Sequence, residues 1–497
     1  MSQLVNAAIS ADKISDAFLS HAKNSFLKDY QVEDFINACC QPLRKSIRIN
    51  TLKISVTECL KEFEQYDLVC TPIPWCKEGF WIAAKNLDDE NGTTKCSMTE
   101  NSSVLGNLPE HLQGLFYIQE ASSMLPPSAL IDSPENLNDV MILDMAAAPG
   151  SKTTQLAALV DNSGLILANE MSASRVKVLH ANLVRCGVYN TCMSQFDGRK
   201  LGERLSGLFD FVLLDAPCGG EGTIRKDASA LKDWQLSKVE EIAKLQKQLI
   251  KTAYQCLKPG GRLVYSTCTL SPEENQQVVL HLVAETDAQI EPLNDLFDGA
   301  EQSVTQEGFL HVLPQIYDSE GFFVAAVSKP KASEIDYYIA TEKTPFLPVD
   351  KRTLKQVNQY YANHFGLELS NLKLCIKQRD KEIWLFPNRF EDICGVVRLN
   401  RSGIKLAEIY PNKIRSTHEF ICCLGDKISE QRVTLDPQQA EDFYKGRNLE
   451  IESDTLRDGE VILTLNGHSI GLGNLRKNKI KNQLPRDLVR DQIRFAK

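Results

Sequence analysis

The sequence has no long apolar run, no disulfide framework and no overall positive charge, and each absence excludes a class of protein. No stretch approaches the roughly 18 apolar residues that a membrane-spanning helix needs. The first twenty residues mix Asp12, Lys13 and Asp16 with small side chains, so no signal peptide is predicted. A cytoplasmic location without a membrane partner is the resulting expectation.

Cysteine is plentiful but unpatterned. The 15 cysteines are odd in number and follow no fixed spacing, which in a chain of 497 residues indicates reduced thiols. The adjacent pairs Cys39-Cys40 and Cys422-Cys423 are too close for the Cys-x-x-Cys geometry of a zinc site, so no metal is predicted.

The net charge of −9 argues against a nucleic-acid partner, but its distribution is uneven. Residues 41–53 carry Arg44, Lys45, Arg48 and Lys53 with no acid. The last 27 residues hold only two acids against eight basic side chains, which are Arg476, Lys477, Lys479, Lys481, Arg486, Arg490, Arg494 and Lys497. Such runs can be solvated surface, but two of them flanking a candidate site favour a polyanion.

Apolar periodicity divides the chain into four predicted segments. Residues 1–110 mix helical patterns with a short strand, which predicts a small α+β module. Residues 111–330 alternate strands and amphipathic helices, which predicts an α/β fold with a parallel sheet. Residues 331–400 form a second mixed segment, and residues 401–497 a β-rich domain with a basic tail.

The predicted elements of the central segment are strands 140–143, 165–168, 191–196, 211–214, 262–265, 309–313 and 322–327, with helices 151–159, 173–186, 237–257 and 272–285. No helix-length segment separates the last two strands. They are therefore predicted to form an antiparallel hairpin at the edge of the sheet.

A turn of small residues follows the first of these strands. It reads Met145-Ala146-Ala147-Ala148-Pro149-Gly150-Ser151-Lys152-Thr153 and leads into a helix, where backbone N–H groups can approach a ligand. The turn fits neither the phosphate-binding loop nor the Gly-x-Gly-x-x-Gly dinucleotide fingerprint. A tight turn without a ligand is the alternative.

Two acids at the next strand ends favour a nucleoside cofactor. Glu170 lies twenty residues past Gly150, where its carboxylate can accept both ribose hydroxyls. Asp197 ends the third strand, within reach of an adenine edge. A nucleoside cofactor without a strong pyrophosphate loop indicates S-adenosylmethionine.

Two cysteines fifty residues apart follow two further strands. Cys218 stands in Asp215-Ala216-Pro217-Cys218-Gly219-Gly220, and Cys268 in Tyr265-Ser266-Thr267-Cys268-Thr269-Leu270. Ligands bind at the carboxyl ends of strands in open α/β sheets, so both thiols are predicted to share one crevice. A single cysteine there is more often a core residue, but a pair favours catalysis.

A thiol pair suits the methylation of carbon 5 of cytosine, which is a poor nucleophile. A thiolate added at carbon 6 makes carbon 5 enamine-like, and a base must later remove the C5 proton so that the sulfur can leave. Asp215 can hydrogen-bond the N3/N4 edge of the base. Arg225 and Lys226 are candidates for the positive charge that activates a thiolate. The residues alone leave open which cysteine attacks.

These motifs resemble the RNA cytosine-C5 methyltransferases related to NOL/NOP2/Sun proteins. The resemblance covers roughly residues 110–330, in the segments Phe116 to Met124, Asp144 to Thr153, Asp215 to Thr223, Arg225 to Asp227 and Ser266 to Thr269. Met145 and the long stretch before Phe18 depart from the family pattern.

The resemblance implies a Rossmann-like class I methyltransferase domain that binds S-adenosylmethionine through Ala146 to Lys152, Glu170, Asp197 and Asp215. It also implies that Cys268 attacks and Cys218 assists release. DNA cytosine-C5 methyltransferases instead use the Pro-Cys cysteine as the nucleophile, so the presence of both thiols favours RNA.

The flanking segments resemble those of bacterial enzymes that modify 16S ribosomal RNA near the decoding site. The matching parts are Arg44 to Asn50 and Gly471 to Arg486. The resemblance implies an RNA-binding N-terminal module, a pre-PUA segment and a PUA-like RNA-binding C-terminal domain, with small-subunit rRNA in the 30S particle as the partner. A tRNA methyltransferase and a catalytically inactive ribosome-assembly factor are the alternatives.

Overall fold

The computed structural model describes residues 10–28, 31–84, 105–133, 137–332, 343–400, 402–411, 413–453 and 455–495, so the predicted basic residue Lys497 lies outside it. Among these residues, no helix combines the length and the apolar character that crossing a bilayer requires. The described cysteines are all free thiols.

The N-terminal module packs helices against an antiparallel sheet with the strand order β2-β3-β1-β4. Its strands are β1 (Lys45–Ile49), β2 (Leu68–Ile73), β3 (Cys76–Ala84) and β4 (Phe116–Ile118), and its helices are α1 (Asp16–Ser25), α2 (Val32–Cys40), α3 (Val56–Glu64) and α4 (Pro109–Leu112). Helix α3 begins at a capping box in which Ser55 and Glu58 each satisfy the other's backbone N–H. Strand β4 lies beyond residue 110 and leads directly into the central segment.

The central segment forms an eight-stranded sheet with the order β10-β12-β9-β8-β5-β6-β7, and β11 pairs with β12. Its strands are β5 (Met141–Asp144), β6 (Leu165–Asn169), β7 (Thr191–Ser194), β8 (Phe209–Asp215), β9 (Leu257–Thr267), β10 (Gln289–Glu291), β11 (Leu310–Val312) and β12 (Phe322–Ser328). Its helices are α5 (Leu125–Leu130), α6 (Ser151–Leu159), α7 (Ala173–Arg185), α8 (Gly202–Leu205), α9 (Leu236–Cys256), α10 (Gln276–Glu285) and α11 (Pro314–Tyr317).

Strands β5 to β9 run parallel, and β12 runs antiparallel to β9. The short apolar strands β5 and β6 are buried along their whole length because helices cover both faces of the sheet. Ile142 and Leu143 show this directly, since they belong to separate apolar cores on opposite faces. The predicted hairpin of β11 and β12 is confirmed.

One predicted helix begins later than expected. Periodicity placed its start at residue 272, but α10 begins at Gln276 after a turn. The side chain of Asn275 explains the delay, because its Nδ2 donates to the Thr269 carbonyl at 3.1 Å and its Oδ1 accepts from Thr267 Oγ1 at 2.6 Å. Residues 272–275 are thereby tied to the segment that carries Cys268. Strand β10, which has only three residues, was not predicted.

Two smaller sheets follow. The first has the antiparallel order β13-β14-β15-β16-β17, formed by β13 (Leu347–Pro348), β14 (Leu374–Arg379), β15 (Glu382–Pro387), β16 (Ile404–Tyr410) and β17 (Lys413–Ser416), with helices α12 (Lys351–Phe365), α13 (Phe390–Ile393) and α14 (His418–Leu424). The second has the order β18-β20-β21-β22-β19, formed by β18 (Arg432–Thr434), β19 (Leu449–Glu450), β20 (Gly459–Leu465), β21 (His468–Arg476) and β22 (Lys479–Asn482), with helix α15 (Pro437–Tyr444).

The first small sheet is joined to the central one along β7. Leu399 bridges to Ser194, the Asn400 N–H donates to the Met193 carbonyl at 2.7 Å, and the Met193 N–H donates to Ser402 Oγ at 2.9 Å. Strand β7 would otherwise be an open edge. The C-terminal part of the chain is therefore anchored on the central sheet.

Candidate active site

The two cysteines predicted to share a crevice lie side by side. Cys218 follows β8 and Cys268 follows β9, and these strands are parallel neighbours. Their sulfur atoms are 3.3 Å apart, and both side chains are partly exposed. Adjacent parallel strands end at the same edge of the sheet, which is why residues fifty positions apart meet here.

The hydrogen bond between the thiols raises the pKa of Cys218 well above its ordinary value. Burial acts in the same direction, as do the negative charges of Glu274 and Asp215. Burial and the neighbouring charges thus favour the protonated form of Cys218, and either sulfur can donate the hydrogen bond between the thiols.

Asp215, the last residue of β8, is fixed from two sides. Its Oδ2 accepts a hydrogen bond from Lys152 Nζ at 2.8 Å, and its Oδ1 accepts one from Ser266 Oγ at 2.7 Å. Lys152 also donates to Ser123 Oγ at 3.1 Å. Since Lys152 stands in the first turn of α6, this ion pair connects the predicted cofactor turn to the segment that carries Cys218.

Two buried carboxylates that the sequence analysis did not identify hold the thiol segments. Glu274 accepts hydrogen bonds from the Gly219 N–H at 3.0 Å and from Gln246 Nε2 at 2.7 Å. Glu221 accepts from the Leu270 and Ser271 N–H groups at 2.9 and 2.8 Å. Burial raises the pKa of Glu274 to about 7. The available signal was an acid close behind each cysteine, at positions 221 and 274.

The small-residue turn has the geometry that a cofactor loop needs. The Ala147 N–H donates to the Asn169 carbonyl at 2.8 Å, which sets the turn beside the end of β6. Gly150 adopts φ = 105° directly before α6, a conformation that favours glycine. Ala146 to Gly150 form this turn, and Ser151 and Lys152 begin the helix whose unpaired N–H groups follow it.

Glu170 supplies the acceptor that a ribose requires. Its side chain is 5% exposed, and Oε1 accepts the Ser172 N–H at 2.8 Å. Oε2 accepts no well-oriented hydrogen bond, although Arg175 Nη1 lies 3.2 Å away. A buried carboxylate oxygen with free lone pairs suits the two hydroxyl donors of a nucleoside, so these residues fit S-adenosylmethionine.

Asp197 is held in a different way. Both of its carboxylate oxygens accept hydrogen bonds from the Arg199 guanidinium, and one caps the following turn through the Arg199 N–H at 3.0 Å. These bonds lower the pKa of Asp197 below its ordinary value. A ligand that contacts this acid must share it with Arg199.

The two basic residues predicted to activate a thiolate lie in different environments. Arg225 donates to the Gln41 and Pro42 carbonyls of the N-terminal module and pairs with Asp318 Oδ1 at 2.8 Å, so its charge is already engaged. Lys226 is exposed.

The basic surface predicted for residues 41–53 is wrong at Arg48. That side chain is only 2% exposed and donates to Gln119 Oε1 at 3.0 Å and Thr154 Oγ1 at 2.7 Å. Arg44 packs over the Trp81 ring and pairs with Asp318. These contacts between the modules come from residues far apart in the chain, which the run of charges did not reveal.

The basic tail does form a surface. A cleft of about 1050 Å³ opens between the two C-terminal sheets, and its basic lining residues are Lys413, Arg415, Arg476, Lys479, Lys481 and Arg486. His418 also lines it, and Glu408 is the one acid in its lining. The cleft joins cations from β17 and from the tail in one concave surface.

The parallel sheet, the turn before α6 and the acids at the strand ends define a Rossmann-like S-adenosylmethionine-dependent methyltransferase, which confirms the predicted fold class and cofactor. Comparison with known families specifies it further. The family described as 16S rRNA methyltransferase RsmB/F matches residues 130–328. The N-terminal, pre-PUA and PUA domains of methyltransferase RsmF match residues 14–121, 346–424 and 430–490.

Full-length relatives agree. The chain is 45% identical over 496 residues to ribosomal RNA small subunit methyltransferase F of Psychromonas ingrahamii, covering 98% of this chain and 100% of that protein. It is 47% identical to the protein of the same name from Vibrio parahaemolyticus, covering 97% and 99% of the two chains. The chain belongs to the RsmB/F family of 16S rRNA methyltransferases, which confirms the resemblance drawn from the motifs.

Two solved structures each cover about two thirds of the chain. A methyltransferase homologue from Pyrococcus horikoshii is 33% identical with a TM-score of 0.52, covering 64% of this chain and 98% of that one. NSun6 from the same organism, crystallised with SFG, is 25% identical with a TM-score of 0.53 and covers 64% and 99%.

Proposed function

We propose that this enzyme methylates carbon 5 of a cytidine in 16S ribosomal RNA through a covalent adduct between Cys268 and carbon 6 of the base. The observation that carries the proposal is the pair of sulfur atoms 3.3 Å apart beside Asp215. A chemistry with one addition and one proton removal needs two groups within reach of neighbouring ring atoms. Cys268 and Cys218 satisfy that requirement.

The reaction proceeds in three steps on the base. The Cys268 thiolate adds to carbon 6, which makes carbon 5 nucleophilic. S-adenosylmethionine supplies the electrophilic methyl group that carbon 5 takes up, and Ala146 to Lys152 together with Glu170 and Asp197 would hold it. A base then removes the C5 proton, the C5–C6 double bond re-forms, and the Cys268 thiolate leaves.

Cys218 serves the last step in this scheme. Cys218 must first lose its own proton to solvent, and because its pKa is raised the resulting thiolate is a strong base. Its sulfur lies 3.3 Å from that of Cys268, so it can take the proton from the adjacent carbon. Asp215 accepts a hydrogen bond from the N4 amino group and from N3 once the adduct is protonated there, which stabilises the adduct. Lys152 and Ser266 hold the carboxylate in place for that contact.

The C-terminal cleft supports RNA as the substrate, because its Lys and Arg side chains can neutralise backbone phosphates. The curated relatives are named for the small ribosomal subunit, so we propose the decoding region of 16S rRNA within the assembled 30S particle, in the cytoplasm, as the target. The N-terminal module is proposed to contribute to RNA binding.

The test combines three variants with labelled cofactor and purified small subunits. Cys268→Ala should abolish both methylation and the RNA adduct seen on a denaturing gel, whereas Cys218→Ala should accumulate the adduct. Cys40→Ala, a partly exposed thiol on α2, should behave like the wild type. Adduct trapping by Cys268→Ala would reverse the roles of the thiols.

Further assays with different RNAs identify the substrate. Methylation of free tRNA but not of small subunits would favour a tRNA enzyme. RNA binding without methyl transfer to any RNA would favour an inactive assembly factor. Bisulfite sequencing of cellular RNA with and without the protein would then identify the modified cytidine.

A further inference from the structure

We infer that two buried carboxylates position the two thiols, each holding the cysteine of the other segment. Glu274, which follows Cys268 in the chain, holds the segment of Cys218. Glu221, which follows Cys218, holds the segment of Cys268. The inference rests on the function proposed above and assigns each carboxylate to one step of it.

Glu274 and Gln246 fix the backbone on both sides of Cys218. The carboxylate accepts the Gly219 N–H at 3.0 and 3.3 Å through its two oxygens. Gln246 Nε2 donates both to Glu274 at 2.7 Å and to the Pro217 carbonyl at 2.9 Å. Glu274 and Gln246 are fully buried, so no water competes for these bonds. The peptide groups next to Cys218 thus have fixed partners.

Glu221 holds the other segment more tightly. Its Oε2 accepts from Thr269 Oγ1 at 2.8 Å and from the two N–H groups that follow, at 2.9 and 2.8 Å. Its Oε1 accepts from Ser271 Oγ at 2.6 Å and from Trp234 Nε1 at 2.7 Å. All of these partners are donors, and all except Trp234 belong to residues 269–271, which directly follow Cys268.

The two carboxylates differ in what a substitution removes. Glu221 faces an N–H donor at each oxygen, so a glutamine there would turn its NH₂ group toward another donor. At Glu274, Oε2 alone accepts from both the Gly219 N–H and Gln246 Nε2, so only an apolar side chain such as leucine removes both bonds and leaves the Gly219 N–H unpaired. A charge is also lost, and the negative charge of Glu274 is one of the causes that raise the pKa of Cys218. Both effects fall mainly on Cys218, because the one bond from the other segment to the Glu274 carboxylate comes from Thr269 Oγ1 at 3.4 Å, and Glu221 holds that hydroxyl at 2.8 Å.

The attack step and the release step therefore depend on different carboxylates. Attack requires only that Cys268 reach carbon 6, while release requires that Cys218 reach the C5 proton. A displacement of about 1 Å at a catalytic group can cost on the order of 100-fold in rate. Loss of Glu274 should slow release by that amount and leave attack nearly intact, so the covalent intermediate should accumulate.

The experiment uses the full-length protein with Glu274→Leu, small subunits and S-adenosylmethionine. We expect turnover to fall on the order of 100-fold, while the adduct on a denaturing gel forms at close to the wild-type rate and persists, as in Cys218→Ala. A general packing defect would lower adduct formation and turnover together. That result, or wild-type behaviour, would overturn the inference.

Three further variants sharpen the result. Glu273→Leu is the matched control, because the neighbouring carboxylate pairs with His21 at 3.2 Å instead, and it should turn over like the wild type. Gln246→Met removes the hydrogen bond to the Pro217 carbonyl and should also accumulate adduct, which keeps the inference testable if Glu274→Leu does not fold. Glu221→Gln should show the opposite pattern, with little adduct formed.

Failure of the inference is distinguishable from failure of the proposed function. If Cys218→Ala traps adduct and Glu274→Leu does not, the thiol roles stand and the positioning role of Glu274 is refuted. If Cys218→Ala traps no adduct, the proposed mechanism fails, and the positioning role that rests on it is overturned as well.

Discussion

Replacement of Glu170 by glutamine tests the cofactor site most directly. The side chain is buried at the end of β6, with one carboxylate oxygen bound to the Ser172 N–H and the other without a well-oriented hydrogen bond. Glutamine can keep the first bond through its carbonyl oxygen. Its NH₂ group would then stand where a ribose hydroxyl donates, close to Arg175, which is also a donor.

The expected loss follows from that geometry. One hydrogen bond to a charged acceptor is removed, and such bonds contribute about 1.5–3 kcal/mol. Since about 1.4 kcal/mol corresponds to a tenfold change in affinity, Kd for S-adenosylmethionine should rise about 10- to 150-fold. The fold should persist, because the volume of the side chain and its bond to Ser172 are kept.

Isothermal titration calorimetry with S-adenosylmethionine measures this change. Glu203→Gln, an exposed acid on α8, is the control and should leave Kd unchanged. Asp197→Asn should have a smaller effect than Glu170→Gln, because Arg199 already occupies both oxygens of Asp197. A Kd within about twofold of the wild type in Glu170→Gln would refute the ribose contact.

Three other results are expected. In Gly222→Ala the new methyl carbon would lie 2.0 Å from the Gly321 carbonyl oxygen, so thermal denaturation should show a loss of about 3 kcal/mol, whereas Gly106→Ala, with open space around it, should not. Burial raises the pKa of Asp144 from 3.8 to about 7, so protonation of this side chain stabilises the folded protein below pH 4, and that contribution is lost as the pH rises through 7. In Asp144→Asn the melting temperature should depend less on pH over this range. Replacement of Arg476 and Lys481 by uncharged residues should weaken RNA binding in a filter-binding assay, and the slope of the logarithm of the binding constant against the logarithm of salt concentration should become shallower by roughly 1.5.

The central sheet could be predicted because its signals are local. Apolar runs of four residues mark β5, β6 and β8, and helix α6 was predicted with the bounds that it has. The meeting of Cys218 and Cys268 needed one further step, that parallel strands end at one edge. Short sequence motifs carry both kinds of information.

The residues that hold the site depend on tertiary contacts that no local pattern encodes. Gln246 lies in the middle of a 21-residue helix, and nothing near it indicates that its amide reaches Pro217. Arg48 reads as surface charge in the sequence but is buried, because its partners Gln119 and Thr154 are supplied by segments about 70 and 106 residues away. The outcome at both positions was decided by residues distant in sequence.

The hydrogen bonds along β7 fix the distance between the C-terminal part of the chain and the active site. Strands β9 and β7 are four steps apart in the sheet, which at roughly 4.8 Å per step places the anchored C-terminal part about 19 Å from the strand that carries Cys268. Because Leu399, Asn400, Ser402 and Gly403 are hydrogen-bonded to that edge, this distance is fixed. We therefore expect the enzyme to respond to the three-dimensional spacing of a folded RNA and to ignore a short oligonucleotide that contains the same target base.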